Sequence, residues 1–326
     1  MSSTLPGSTS KKEGRQATRV SLKGFDYQEY GLVGVVILIL IVGGILESSF
    51  LTEDNMLNVL RQGSIVGVLA IGMTFVIATA GIDLSVGSMV AAASIAGGQF
   101  VDNGTLAFCL GAIGLGIILG AVNGAVISYG KVVPFIATLA MLTIARGIAL
   151  WLSDKTPISL FELDGLRWFG TGKILGIPSA VIVFAAVAAV GWMLLNRTPY
   201  GRYVVAVGGN PEAARIAGVK VRRIIFSVYV ISGICVGIAG ILLCGRLASA
   251  SPVAGQLYEL DAIAAVVIGG TSLAGGRATI FGTVLGVITF ALIFNLLTLM
   301  NLAVEIQQIT KGAIILAAVL IQRRQT

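Results

Sequence analysis

The side chains able to do covalent chemistry are few, and their company is wrong for catalysis. The chain has no histidine, which removes the commonest metal ligand and general base. Cys109, Cys235 and Cys244 lie inside apolar runs without metal-ligand spacing and read as buried packing. No paired carboxylates and no nucleophile–base set occur, so an enzyme lacks its parts. What remains are polar groups embedded in apolar sequence. Asp83 stands in Thr79–Ser88 (TAGIDLSVGS) with Gly81 and Gly87 on either side. An ionisable group at membrane depth is costly and is a functional candidate by default; Ser85 beside it joins the same candidate site. The alternative is structural, with Asp83 capping a helix that starts at Leu84. Asn123, Asn295, Gln307 and Gln308 are uncharged groups that could hydrogen-bond a polar solute, or only a neighbouring helix.

A second concentration of informative residues is the basic connection Asn196–Arg223, NRTPYGRYVVAVGGNPEAARIAGVKVRR. It contains a short helix with legible ends. Asn210 caps the N-terminus, Pro211 suits the first helical position, and Gly218 supplies the left-handed stop. Glu212 sits near the positive end of the helix dipole and Arg215 toward the negative end, three residues apart on one face and free to pair with a partner. Such a rigid helix is either a docking knob or an ordinary surface helix. A third segment, Val266–Gly282, places Gly269, Gly270, Gly275 and Gly276 within eight residues, which a stable helix does not tolerate. It reads as a tight turn or as irregular backbone beside a pathway. It is not a phosphate-binding loop, because the Gly-Lys-Ser/Thr ending is absent here and elsewhere in the chain.

The elements that must position these residues are membrane helices. Only 11% of the residues are charged and the mean hydropathy is +0.96, whereas a soluble domain carries roughly 25% charge. Ten apolar runs, at about 30–46, 63–80, 84–101, 106–128, 134–152, 178–195, 224–245, 256–270, 280–300 and 307–322, approach the length of a span. The Gly-rich links between the second and third runs, and between the eighth and ninth, are places for a broken or re-entrant helix. With the N-terminus inside, fifteen Lys/Arg fall in inside segments and five, Arg61, Lys155, Arg167, Lys173 and Arg246, in outside ones; Arg146 and Lys311 lie near or within spans. This is the membrane pattern of basic residues, not that of a nucleic-acid binder. The expected class is an all-α integral membrane protein with ten spans and both termini cytoplasmic. Residues 1–29 read as a disordered cytoplasmic tail, 30–322 as the membrane domain with its cytoplasmic loop at 197–223, and 323–326 as a cytoplasmic end. Asp83 is almost the only acid this reading leaves inside the membrane. Gly116, Gly120 and Gly124, Gly233 with Gly237, and Gly282 with Gly286 recur every four residues, so helices can approach closely there, for static packing or for sliding. No short repeat is visible; an inverted repeat of two halves remains open.

Several of these segments resemble one known family. Gly81–Ser88 (GIDLSVGS), Val122–Gly147 (VNGAVISYGKVVPFIATLAMLTIARG, which contains Asn123 and Phe135), Val207–Val221 (VGGNPEAARIAGVKV) and Val267–Gly276 (VIGGTSLAGG) are similar, in this order, to the permease subunits of bacterial ribose-type ABC importers. The resemblance covers roughly residues 50–322. It implies a vitamin B12 permease-like fold. It also implies an inner-membrane complex with a second permease copy or paralogue, a cytoplasmic ATPase that binds ATP and Mg, and a periplasmic sugar-binding protein. This chain would itself bind no cofactor. The substrate would be a monosaccharide or related polyol. The loop Gly208–Gly218, with Gly208, Gly209, Asn210, Pro211, Glu212, Ala213, Arg215 and Gly218, would be the coupling helix that seats in the ATPase. Asp83, Ser85, Asn123, Phe135, Asn295 and Gln307 would be the candidates for pathway or gate. The sequence departs from the family's pattern at Ala278 and Leu296, where Gly is frequent, and at Glu305–Ile306, where an aromatic pair usually precedes the Gln matched by Gln307. The rival readings are a branched-chain amino-acid or nucleoside permease of the same broad fold, and a stand-alone secondary transporter or channel.

Overall fold

A computed structural model describes the backbone of residues 27–323 and the side chains of 31–320. Most of the polar tail expected over 1–29, and the C-terminal residues from 324, lie outside the described residues. Thirteen α-helices are described: α1 (Tyr27–Leu46), α2 (Glu53–Ala78), α3 (Val86–Gly98), α4 (Thr105–Ser128), α5 (Pro134–Leu152), α6 (Asp164–Thr171), α7 (Ser179–Trp192), α8 (Pro199–Gly209), α9 (Pro211–Ile216), α10 (Val221–Leu247), α11 (Tyr258–Ile268), α12 (Ile280–Leu299) and α13 (Val304–Arg323). Each of the ten apolar runs overlaps one of them. A π-helical turn, Met193–Arg197, continues α7. The strands are two-residue pairs: β1 (Ile158–Ser159) with β4 (Ser249–Ala250), and β2 (Lys173–Ile174) with β3 (Ile177–Pro178).

Among the described residues, six helical stretches are long and apolar enough to cross a membrane: α2, α4, α5, α7 with its π turn, α10 and α12. The run 63–80 proves to be the buried half of a 26-residue helix. α2 starts at Glu53, because Glu53 and Asp54 favour the first turn although they lower the hydropathy. The runs 84–101 and 256–270 depart furthest from a plain span. α3 has 13 residues and α11 has 11. At 1.5 Å per residue neither approaches the roughly 30 Å of a hydrocarbon core. Irregular, non-helical backbone precedes each, with positive φ at Ala80 before α3 and at Gly255 and Leu257 before α11. These stretches meet. A Cβ on Gly87 would lie 2.3 Å from the Gly255 carbonyl oxygen, so the N-terminus of α3 rests on the segment leading into α11. Arg146 of α5 donates to the Pro252 and Ala254 carbonyls at 2.6 and 3.0 Å. It thus satisfies backbone oxygens that a helix would have satisfied internally.

Two four-helix sets repeat this plan. α2–α5 and α10–α13 each read as long helix, break, short helix, then two further helices. α4 lies along α10 as α12 lies along α2; α3 packs on α4 as α11 does on α12, and α3 touches α10 as α11 touches α2. α2 and α10 run antiparallel, since Gly72 faces Ser232 and Cys235 while Gly81, further along α2's direction, faces Tyr229. The halves are therefore an inverted repeat, which the diverged sequence conceals. Close backbone approach holds it together. A Cβ on Gly116 or Gly120 would fall 2.4 Å from the carbonyl oxygens of Gly233 and Tyr229 respectively, and one on Gly286 2.0 Å from that of Ala265.

Candidate functional site

The loop between α7 and α10 folds as two helices. α8 begins with Pro199 at its first turn, a start signal the sequence carries although only the second helix is legible as a motif. α9 is the short helix expected, running Pro211–Ile216. The Asn210 side chain accepts from the Ala213 amide at 2.9 Å, and Gly218 takes φ +87°. Glu212, Arg215 and Ile216 are exposed, and Ala214 is buried beneath them. Glu212 and Arg215 are not free, as the sequence reading had them. They pair with each other through two bonds, Arg215 Nε to Oε2 at 3.0 Å and Nη2 to Oε1 at 2.6 Å. The physical reason is their i, i+3 spacing on an exposed turn. Those bonds, with the charge behind them, hold the Glu212 carboxyl below its ordinary value and the Arg215 guanidinium above its own.

α8 and α9 are fixed to the membrane bundle through backbone. A Cβ on Gly208 would lie 1.8 Å from the Ala78 carbonyl oxygen and 2.6 Å from the Gly276 amide nitrogen. The Gly276 amide itself donates to that Ala78 oxygen at 3.0 Å. The Gly-rich stretch 269–276 is thus a turn, with positive φ at Gly270, Gly275 and Gly276. It is clamped between the C-terminal end of α2 and the end of α8. Gly209 faces outward, its nearest prospective Cβ contact being 3.8 Å away.

Asp83 is fully buried in the irregular segment between α2 and α3. The helix begins at Val86, not Leu84, and Ser85 holds the N-cap position. Asp83 lies two residues earlier, where its Oδ1 accepts from the Ser85 amide (3.0 Å) and hydroxyl (2.5 Å) and its Oδ2 from the Ser232 hydroxyl of α10 (3.2 Å). Asn123 of α4 donates to the Ser85 oxygen at 2.9 Å, and Thr138 of α5 to the Ile82 carbonyl at 3.2 Å. The structure thus brings Asp83, Ser85 and Asn123 into one buried network tying the broken crossing to α4, α5 and α10. Phe135 is not part of it; it stands half exposed near the start of α5.

Asn295 and Gln307 lie elsewhere, together, on a cavity of about 240 Å³ among α2, α11, α12 and α13. Asn295 exchanges two amide hydrogen bonds with Asn55, each 2.8 Å, and Gln307 donates to the Leu302 carbonyl at 3.0 Å. Asp261 and Lys311 form an ion pair of 2.5 Å in the wall, with side chains only 13% and 16% exposed. Asp83 is therefore not nearly alone as a deep acid. Reading α11 as part of an ordinary span hid Asp261, and the available signal was the opposite charge of Lys311 in another apolar run.

Comparison with known proteins follows this geometry. Residues 55–319 match the family model described as branched-chain amino acid transport system / permease component. The chain belongs to this family. Among curated relatives, the ribose import permease protein RbsC of Bacillus subtilis (strain 168) is 46% identical over 90% of this chain and 92% of its own. RbsC of Escherichia coli (strain K12) is 40% identical over 94% and 97%. The D-allose transport system permease protein AlsC of Escherichia coli (strain K12) is 36% identical over 91% and 92%. No solved structure matches the chain. The permease family thus spans the whole inverted repeat, and the similarity to ribose-type permeases extends well beyond the four motifs.

Proposed function

We propose that this chain is the membrane-spanning permease subunit of an ATP-binding-cassette importer that carries a monosaccharide or related polyol across the bacterial inner membrane. The observation that carries this reading is the 46% identity, across nine-tenths of both chains, to a ribose import permease. ATP and Mg act in a separate cytoplasmic ATPase, a periplasmic sugar-binding protein delivers the substrate, and a second permease copy or paralogue completes the pathway in the lipid bilayer. The proposed topology is ten crossings with both termini cytoplasmic, in a vitamin B12 permease-like fold, supported by the charge bias of the connections. In it, α3 and α11 cross together with their irregular lead-in segments.

In this reading α9 is the coupling element. Its ends are set by Asn210 and Gly218, its outer face is exposed, and Gly208 of the adjoining α8 seats that helix directly on α2 and on the 269–276 turn. A push on α9 therefore reaches, through backbone contacts of the adjoining α8, the break after α2 and the turn between α11 and α12. The test is Arg215→Glu, with co-purification of the ATPase and uptake of sugar measured together. The substitution removes the Glu212 bridge and sets two like charges on the docking face. Normal membrane levels, weakened ATPase association and lost uptake are expected. Wild-type association and uptake would remove α9 from the coupling role.

A further inference from the structure

We infer that the cavity bounded by α2, α11, α12 and α13 is a binding subsite for a neutral polyhydroxylated solute, one in each permease copy. This rests on the reading of the chain as a sugar permease and assigns a place to the substrate within it. The cavity lies at the far end of α2 from the α9 junction. Its α2 wall is Asn58 and Gln62 in the first half of that helix, whereas Gly208 meets Ala78 at the last residue. By the charge bias this is the periplasmic side, where a binding protein would release its cargo.

The wall has the composition that a sugar ring requires. Vicinal hydroxyls need donors and acceptors set close together, and the amides of Asn58, Gln62, Asn295 and Gln307 supply both from α2, α12 and α13. A sugar ring also presents C–H faces, which pack on aromatic surface. Phe290 and Phe294 line the cavity with ring centroids 4.5 Å apart. The two charges in the wall cancel. Lys311 Nζ lies 2.5 Å from the Asp261 carboxylate and 5.3 and 5.9 Å from the Phe294 and Phe290 ring centres. A net-neutral wall favours a neutral solute. A zwitterionic amino acid would have to break this pair to use its charges. A hydroxyl can instead bond to the lone pairs and N–H groups that the pair leaves over. Asn58, Gln62 and Thr298 are exposed, so the cavity opens along the α2–α12 side. α13, the wall that carries Gln307 and Lys311, packs chiefly on α11 and α12, and the ion pair is its charged tie to α11.

The test uses the full importer in proteoliposomes, supplied with D-ribose, D-allose, D-fructose and, separately, L-leucine. Two variants are compared with wild type at matched membrane levels: the double change Asn58→Leu and Gln62→Leu, which removes hydrogen-bonding capacity without altering charge, and Thr298→Trp, which fills the mouth. Both are expected to lower uptake of the transported sugar at least about tenfold, the loss equivalent to a single hydrogen bond to a hydroxyl, while the ATPase still responds to the loaded binding protein. Wild-type uptake in both variants overturns the subsite and leaves the function standing. Uptake of leucine and of none of the sugars by the wild-type importer overturns the function and the subsite together. As a direct measurement of binding that does not depend on turnover, Phe294→Trp reports D-ribose by tryptophan fluorescence. A saturable change is expected, and a linear response overturns the proposal.

Discussion

Gly208→Ala adds one carbon where three backbone segments meet, and its effect follows from the distances. The new Cβ would lie 1.8 Å from the Ala78 carbonyl oxygen and 2.6 Å from the Gly276 amide nitrogen. Ordinary non-bonded contact is reached at roughly 3.5 Å, so α8 must move off the α2 terminus by well over an ångström. Overpacking of this kind costs about 1–3 kcal/mol. Separating the Gly276 amide from Ala78 gives up a further hydrogen bond, worth about 1 kcal/mol. The strain falls on the loop junction and not on a membrane crossing, so the chain should insert and α9 should still bind its ATPase. What is lost is the rigid connection between them. In proteoliposomes containing the full importer, ATP hydrolysis is expected to persist while uptake falls below about a tenth of wild type, since a mechanical step displaced by about 2–4 kcal/mol is slowed at least tenfold. Gly209→Ala is the control, because its Cβ meets nothing closer than 3.8 Å, and it should transport normally. Undiminished uptake in Gly208→Ala, or equal damage in Gly209→Ala, would refute the reasoning.

Asp83→Asn should leave membrane abundance and detergent stability near wild type, since an amide can accept the Ser85 amide bond and donate to the Ser232 oxygen. Asp83→Ala strands those partners in the interior at about 1–3 kcal/mol for each unsatisfied group and should lower thermal stability. Stable Asn protein without uptake would instead show that the charge itself serves transport. Reporter fusions after Gly24, within 197–223 and after Arg324 should report cytoplasm, and fusions near Asp54 and Asp164 periplasm. A periplasmic signal from the 197–223 loop would reverse the orientation and remove the docking argument with it.

What could be read without the structure was whatever depends on neighbours along the chain. The apolar runs located ten helices, because a membrane solvent selects composition over a local window. Asn210, Pro211 and Gly218 set the limits of α9, because caps and stops act within one turn. The glycine spacing of α4 and α10 announced a close approach, though not which helix would make it. Tertiary structure decided the rest. Hydropathy cannot tell buried irregular backbone from a buried helix, so the break before α3 surfaced only as a Gly-rich link. The break before α11 lies between the seventh and eighth runs, where no such link stands, and the link between the eighth and ninth runs is the 269–276 turn. Asp83 carried both a capping and a gating reading, and its bond to Ser232, 149 residues away, is one that only the fold supplies. Glu212 and Arg215 carry the right spacing for either a partner or each other, and the free helix chooses each other. The cavity was not legible because it is assembled from four helices. Asn58 and Gln62 sat before the apolar run, and Asp261 and Lys311 are 50 positions apart in a chain whose halves fold back inverted. Local sequence determined the helices and their ends, since those energies are paid within a turn; the site is made by residues that share nothing but the space the inverted repeat encloses.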